Sequence, residues 1–382
     1  MAVVLRFPDR RAHPSRAENL SHLIQALTCH RHPQEDVYWL KENAELLSVL
    51  ECSGEFSAEK SQVGAHDLAK ACPTALSPLR RFYKDADRHL CFFRQYYRFI
   101  LSICLDLEDL GLVDTGGGDR AEALAHWVRQ QDLPQHELSD LQRAEARRLL
   151  ARRGLEGDFP GLDGRLRLFA DNTTQFAVPN RKAAYELTHI VFYLSDYGRR
   201  DPDLSAQARL SLDHLGVLAF LDQDADLLSE VCIALRYCGE TPAAAWEAWL
   251  RHHHQGFALS SAERATAPSL HCDDYHMFLV SSWYQGLSTG SCFNQEIPPG
   301  ALRFQRPERT GILHQLSHAV FHAGGQVGDW HRLRSQVCAE LSEPAYQILC
   351  QAEQSSADFG VFFEAFARRG TIQPTVTQAE VG

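Results

Sequence analysis

Residues 180–198 read Asn180-Arg-Lys-Ala-Ala-Tyr185-Glu-Leu-Thr-His189-Ile-Val-Phe-Tyr193-Leu-Ser-Asp196-Tyr-Gly198. Advancing ~100° per residue sorts this stretch into two faces. Leu187, Ile190, Val191 and Leu194 form an aliphatic stripe, and Tyr185, His189, Phe192, Tyr193 and Asp196 fall on the other side. Asn180 suits the N-cap and Gly198 suits the stop, so the spacing predicts a helix over 181–197.

The same period governs most of the chain. Helices are expected over 36–50, 78–110 (one long helix or a broken pair), 119–132, 135–153, 205–221, 225–238, 242–254, 272–286, 311–323, 329–352 and 356–369, and no convincing strand stands out. Gly154, Gly157, Pro160, Gly161, Gly164 and Pro179 punctuate 154–179, which shows no helical period. The expected organisation is a helical region 1–153, a connection 154–179, a helical domain 180–370 and a loose tail 371–382. The fold class is all-α, built of helical hairpins, with an α/α toroid as the arrangement that fits the C-terminal half.

Composition narrows the function. The 382 residues are 45% hydrophobic and 23% charged, enough apolar material for a core. A net charge of -11 opposes a general nucleic-acid binder and an anionic membrane surface. No signal peptide opens the chain and no apolar run approaches the ~18 residues of a membrane span. Eleven cysteines without a C-x-x-C pair suit a reducing compartment, so a cytoplasmic location is expected. Arg80 to Lys84 and Arg147 to Arg153 form local basic runs, read as solvated helix faces.

A surface helix would carry Lys, Glu or Arg where the 181–197 helix carries aromatics, a histidine and a carboxylate. Such a face suits a pocket wall. Asp196 falls in the last turn, where the helix dipole disfavours a negative charge. Arg199 and Arg200 can offset it, as can a metal or a cationic substrate group. His189, Asp196 and Tyr193 are the candidate catalytic residues, and Tyr185 and Phe192 line the expected pocket. About 10.5 Å of helix axis separates residues 189 and 196, too far for a comfortable shared metal shell. Glu186 and His189 have E-x-x-H spacing, but a di-iron site needs a second such pair.

His314, His318 and His322 recur every four residues, one turn apart, on the face opposite Leu313, Leu316 and Val320. That stripe is either a solvent face or a cavity wall. His276 shares a helix face with Trp283, and His252-His253-His254 reads as a surface helix end. The candidate metal ligands are His189, His276 and His318, with zinc or iron suited to imidazole and carboxylate donors. No H-E-x-x-H and no G-x-S-x-G is present.

The run Glu186 to Gly198 resembles a motif, E-L-T-H-x-x-F-Y-x-x-D-[FY]-G, of a bacterial family of unknown function found mainly in alphaproteobacteria and actinobacteria. Asp274-Tyr275-His276 and Val37 to Glu45 resemble further segments of the same group. The resemblance implies a helical fold and a place in specialised metabolism, without an activity. Two functions follow from the residues: a metal-dependent enzyme acting on a small molecule or peptide, or a non-catalytic peptide- or protein-binding scaffold.

Overall fold

A computed structural model describes residues 14–53, 73–115, 118–155, 157, 159–262, 273–323 and 328–368. The expected tail 371–382 lies outside them. The chain opens with α1 (Arg16–Gln25), a π-helical turn (Ala26–His30), α2 (Val37–Cys52), α3 (Pro73–Lys84), α4 (Ala86–Phe92) and α5 (Tyr97–Asp109). Next come α6 (Arg120–Gln130), α7 (Asp140–Ala151), α8 (Leu162–Ala170), α9 (Thr173–Phe176), α10 (Arg181–Leu194) and α11 (Ala206–Leu221). Then follow α12 (Ala225–Tyr237), α13 (Ala244–Gln255), strand β1 (Ala258–Ala262), α14 (Tyr275–Thr289) and strand β2 (Ala301–Gln305). The described chain ends with α15 (Leu313–His322), α16 (Trp330–Ala339), α17 (Glu343–Ser355) and α18 (Phe359–Ala367).

The described residues are therefore all-α but for one antiparallel ribbon, Ala258 opposite Gln305 through Ala262 opposite Ala301. The sequence reading lacks this ribbon because its two five-residue strands are far apart in sequence and each is too short to show a period. The 78–110 stretch is broken at Asp85 and Phe93 into several helical pieces. The 329–352 stretch is two helices, divided at Ser342, the N-cap that precedes Glu343-Pro344. The 154–179 connection itself carries α8 and α9. No helix among the described residues is long and apolar enough to cross a membrane.

Two compact units interleave along the chain. One comprises Met1–Glu137, Glu145–Gly157 and His254–Pro307, the other Leu138–Ala144, Asp158–His253 and Glu308–Gly382. Residues 254–307 thus cluster with the N-terminal region rather than with 180–370. His253 and His254, read as surface, are both buried. His254 places Nδ1 2.8 Å from the Ser281 hydroxyl and stacks on Phe278.

In the first unit, α2 packs along α5 and α14, and the π turn meets α3 and β2. Arg31, just after the π turn, organises this junction. Its side chain is 0% exposed. All five of its N–H groups are used. Nε and Nη2 donate to the two oxygens of Glu42, both at 2.8 Å. Nη1 and Nη2 donate to Asp273 at 2.7 and 3.1 Å, and Nη1 also reaches the Leu302 carbonyl at 2.9 Å. The Tyr275 and Phe304 rings lie 5.2 and 5.3 Å from the guanidinium carbon. His32 Nε2 lies 3.2 Å from Glu42, and the Tyr275 hydroxyl donates to Glu45 at 2.8 Å. Burial works against the Glu42 carboxylate, but hydrogen bonds from Arg31 and His32 hold it below its usual range.

In the second unit, α11 is the central element, packed by α8, α9, α10, α12, α17 and α18. Buried residues surround its axis from Ser211 to Leu221 except at Asp213. A toroid is not confirmed in this unit. Asp213 accepts a hydrogen bond from Ser356 Oγ at 2.5 Å, and burial pushes its carboxyl up to about 6.

Two stability predictions follow. Arg31→Met leaves Glu42 and Asp273 buried without their cation and should cost about 3–5 kcal/mol in urea unfolding. Adding Glu42→Gln and Asp273→Asn should recover part of that loss; no recovery would show that packing rather than charge sets the cost. Asp213 is disfavoured as an anion, so its contribution is full below the ordinary value of 3.8 and is lost as pH rises through about 6. Asp213→Asn should therefore gain about 1–3 kcal/mol over wild type at neutral pH. Unfolding curves across the acid range should show this gain vanishing as the pH is lowered.

Candidate functional site

The first turn of α10 is set by Asn180, whose side-chain oxygen accepts the Ala183 N–H at 3.1 Å. Leu187, Ile190, Val191 and Leu194 are buried as the period requires. Phe192 and Tyr193, on the other side, are buried too. That side is therefore mostly packed, with His189 its partly open position at 32% side-chain exposure.

A polar seam joins α10 to α12. The Tyr185 hydroxyl donates to Asp226 Oδ2 and the Thr188 hydroxyl to Glu230 Oε2, each at 2.5 Å. Asp226 and Glu230 stand one turn apart on α12 and are 5% and 2% exposed. His189 Nδ1 lies 2.8 Å from the Tyr185 carbonyl and 3.6 Å from Glu230 Oε2. A carbonyl only accepts, so Nδ1 carries the proton in the neutral ring and Nε2 keeps its lone pair. Burial and the neighbouring Asp226 and Glu230 charges push the Tyr185 phenol well above its ordinary value, so it stays a donor. The sequence reading missed both acids. The signal was two carboxylates inside the run 225–235, apolar but for them and Ser229, whose residues are all buried.

Asp196 does not share the helical face expected of it. The helix ends at Leu194, and Asp196, Tyr197 and Gly198 follow with φ of 48°, 54° and 80°. Non-glycine residues in this left-handed region cost about 1–2 kcal/mol each. Aromatic packing holds the turn: Tyr197 stacks on Phe192 at 5.8 Å and approaches Tyr193 at 6.2 Å. Lying beyond the last turn, Asp196 pairs with Arg199 at 3.8 Å. Position 198 must be glycine on a second count, because a Cβ there would sit 2.4 Å from the Tyr237 ring.

The proposed metal set is not brought together. His189 and His318 belong to the second unit and His276 to the first. Among the described residues, no group of three or more His, Cys, Asp or Glu side chains could hold a metal ion. His318 stacks between His314 and His322, with centroids 4.8 and 5.7 Å away, and all three are exposed. His318 and His322 also line an open cavity of about 700 Å³ with Phe321 and Phe366, so the stripe is both exposed and part of a cavity wall. His276 is half-buried at the start of α14, edge-on to Tyr275.

A cavity of about 140 Å³ opens instead at the first turns of α10 and α12, against the C-terminal end of α11. Ala184, Leu218, Ala219, Leu227 and Leu313 make its apolar part, and Arg181, Arg309, Asp222 and Asp224 its charged part. Arg309 Nε caps the end of α11 by donating to the Asp222 carbonyl at 2.7 Å, and its Nη2 binds the Asp222 carboxylate. Gly311 makes this approach possible, since a Cβ there would lie 2.1 Å from the Asp222 carbonyl oxygen. Arg181 lies over the Tyr185 ring at 5.6 Å, and Tyr185, Asp224 and Asp226 favour its charged form. Burial and the nearby Arg181 charge hold Arg309 below its ordinary value. Two guanidiniums therefore feel each other across a small apolar space.

Residues 1–369 match a family described as a domain of unknown function, DUF6902. The chain belongs to the DUF6902 family. No curated protein and no solved structure matches it. The match to DUF6902 takes in both the α10–α12 seam and the cavity at its end.

The left-handed turn after α10 is open to a direct test. Gly198→Ala should cost about 2 kcal/mol or more in urea unfolding, from the αL penalty plus displacement of Tyr237. Gly239→Ala is the matched control, since φ is 75° there and nothing lies within 4 Å of the added Cβ. Equal costs at the two positions would remove the steric role assigned to Tyr237.

Proposed function

We propose that this DUF6902 chain is a small-molecule-binding protein and that its second unit takes a small aliphatic carboxylate in the α10–α12 cavity. The observation that carries this reading is Arg181, held over Tyr185 at the edge of a cavity whose inner part is apolar. A ligand carboxylate would accept from this guanidinium at the positive ends of two helix dipoles. Its tail would lie against Ala184, Leu218, Leu227 and Leu313. Size sets the class: a cavity of about 150 Å³ holds a benzene-sized molecule, so the occupant has few carbon atoms.

A second, enzymatic reading rests on the His189 geometry. An imidazole anchored through Nδ1 and backed by a buried carboxylate is suited to accept a proton, or to bind one metal position, at Nε2. That reading needs His189 to meet the ligand, whereas α10 contributes Arg181 and Ala184 to the cavity.

The test is calorimetric titration of the full chain with acetate, butyrate and hexanoate, with butylamine as the oppositely charged control. Saturable binding of one acid, weakened about tenfold or more by Arg181→Gln and untouched by His189→Gln, is expected. Loss of binding in His189→Gln as well would move the weight to the enzymatic reading. Binding of the amine, or of no acid, would overturn the carboxylate assignment.

A further inference from the structure

Charge and apolar surface are segregated along the α10–α12 cavity. The two helices run parallel, since Tyr185 meets Asp226 and, further along both, Thr188 meets Glu230. Arg181 opens α10 and Ala184 follows three residues on. Asp224 is the N-cap of α12 and Leu227 follows at the same spacing. Three residues advance a helix by about 4.5 Å. α11 reaches the cavity by its C-terminal end, with Leu218 one turn before Asp222, the C-cap. Ala184, Leu218 and Leu227 are buried, whereas Arg181 is exposed. The cavity therefore has a charged rim and an apolar base.

The rim holds both signs in equal number, Arg181 and Arg309 with Asp222 and Asp224. Arg309 is committed to Asp222, binding its carboxylate and its carbonyl. Asp224 accepts the Leu227 N–H at 3.3 Å through Oδ1, and its Oδ2 lies 3.7 Å from Arg309 Nη2. A carboxylate accepts up to about four hydrogen bonds, so capping α12 is compatible with receiving an ammonium as well.

We propose, resting on the carboxylate reading above, that the ligand of this cavity is a small aliphatic 2-amino acid, with its carboxylate on Arg181, its ammonium on Asp224 and its side chain against Ala184, Leu218 and Leu227. An unsubstituted acid brings a net negative charge to a rim that already holds two carboxylates, whereas a zwitterion adds none. Carboxylate and ammonium on one carbon match charges gathered at the rim. A chain with its charges at opposite ends would drive one of them into the apolar base, where an unpaired ion is costly. The volume of about 140 Å³ limits the side chain to a few carbons.

Calorimetric titration of the full chain with butyrate, 2-aminobutyrate, 4-aminobutyrate and butylamine tests the charge pattern on one carbon count. We expect 2-aminobutyrate to bind saturably, about tenfold or more tightly than butyrate, and 4-aminobutyrate and butylamine to bind more weakly than either. Asp224→Asn removes the charge and keeps a good N-capping side chain. It should weaken 2-aminobutyrate by about tenfold and leave butyrate no weaker, which also shows that the cavity of the variant is intact. Arg181→Gln should weaken both. Butyrate binding as tightly as 2-aminobutyrate, or 2-aminobutyrate binding unaltered in Asp224→Asn, would overturn the amino-acid assignment and leave the carboxylate reading standing. Tighter binding of 4-aminobutyrate than of 2-aminobutyrate would overturn the placement of both charges at the rim. Binding of neither butyrate nor 2-aminobutyrate would remove the carboxylate reading and this inference with it.

Discussion

The first unit depends on one buried guanidinium. Removing an ion from water costs several kcal/mol even after the protein relaxes, so a fully enclosed Arg31 is tolerated only where its partners are complete. They are complete: two carboxylates and one carbonyl accept all five N–H groups, and aromatic rings cover the planar faces. Because the partners come from α2, the start of α14 and β2, no one of those elements can shift without stranding a charge. Asp273 also accepts the Tyr275 and Phe304 N–H groups, which places the ends of α14 and β2 by the same carboxylate. The arrangement selects one packing among the many that apolar surfaces alone would allow. The segments resembling the bacterial family, Val37 to Glu45 and Asp274 to His276, supply Glu42, Glu45 and Tyr275 to this cluster or its edge.

The second unit solves a similar problem with hydroxyls. Asp226 and Glu230 are enclosed in α12, and Tyr185 and Thr188 on α10 present O–H donors at hydrogen-bond distance to them. The motif read on α10 as a pocket face is thus largely a helix–helix contact. Its Thr and Tyr complete buried acids, its Phe and Tyr brace a left-handed turn, and its Gly admits Tyr237. His189 and Tyr185 combine buried carboxylate neighbours with partial exposure.

The net charge of -11 conceals where charge is left over. Most arginines are matched with acids, as Arg152 is with Asp106 and Asp109, or Arg98 with Glu137 and Glu145. Arg181 and Arg309 line the small cavity at the starts of α10 and α12, together with Asp222 and Asp224.

Helical class, the aliphatic stripe of α10 and the Asn180 cap were legible in the residues themselves, because helix period and capping are local, acting over three or four positions. The ends of elements were legible only in part: Gly198 marks a stop, but the helix finishes at Leu194, since aromatic packing sustains two non-glycine left-handed residues, Asp196 and Tyr197, before it. Which charges are buried was not legible at all. Arg31 meets Asp273 across 242 positions and Tyr185 meets Asp226 across 41. A lone Asp in a helical period reads the same whether solvent or a phenol awaits it. The ribbon between β1 and β2 and the histidine pair that closes α13 depended likewise on partners from elsewhere in the chain. The sequence determined which segments are helical through short-range sterics and hydrogen bonding; tertiary structure decided which polar groups are satisfied and which cavities remain, because those outcomes depend on desolvation by distant neighbours.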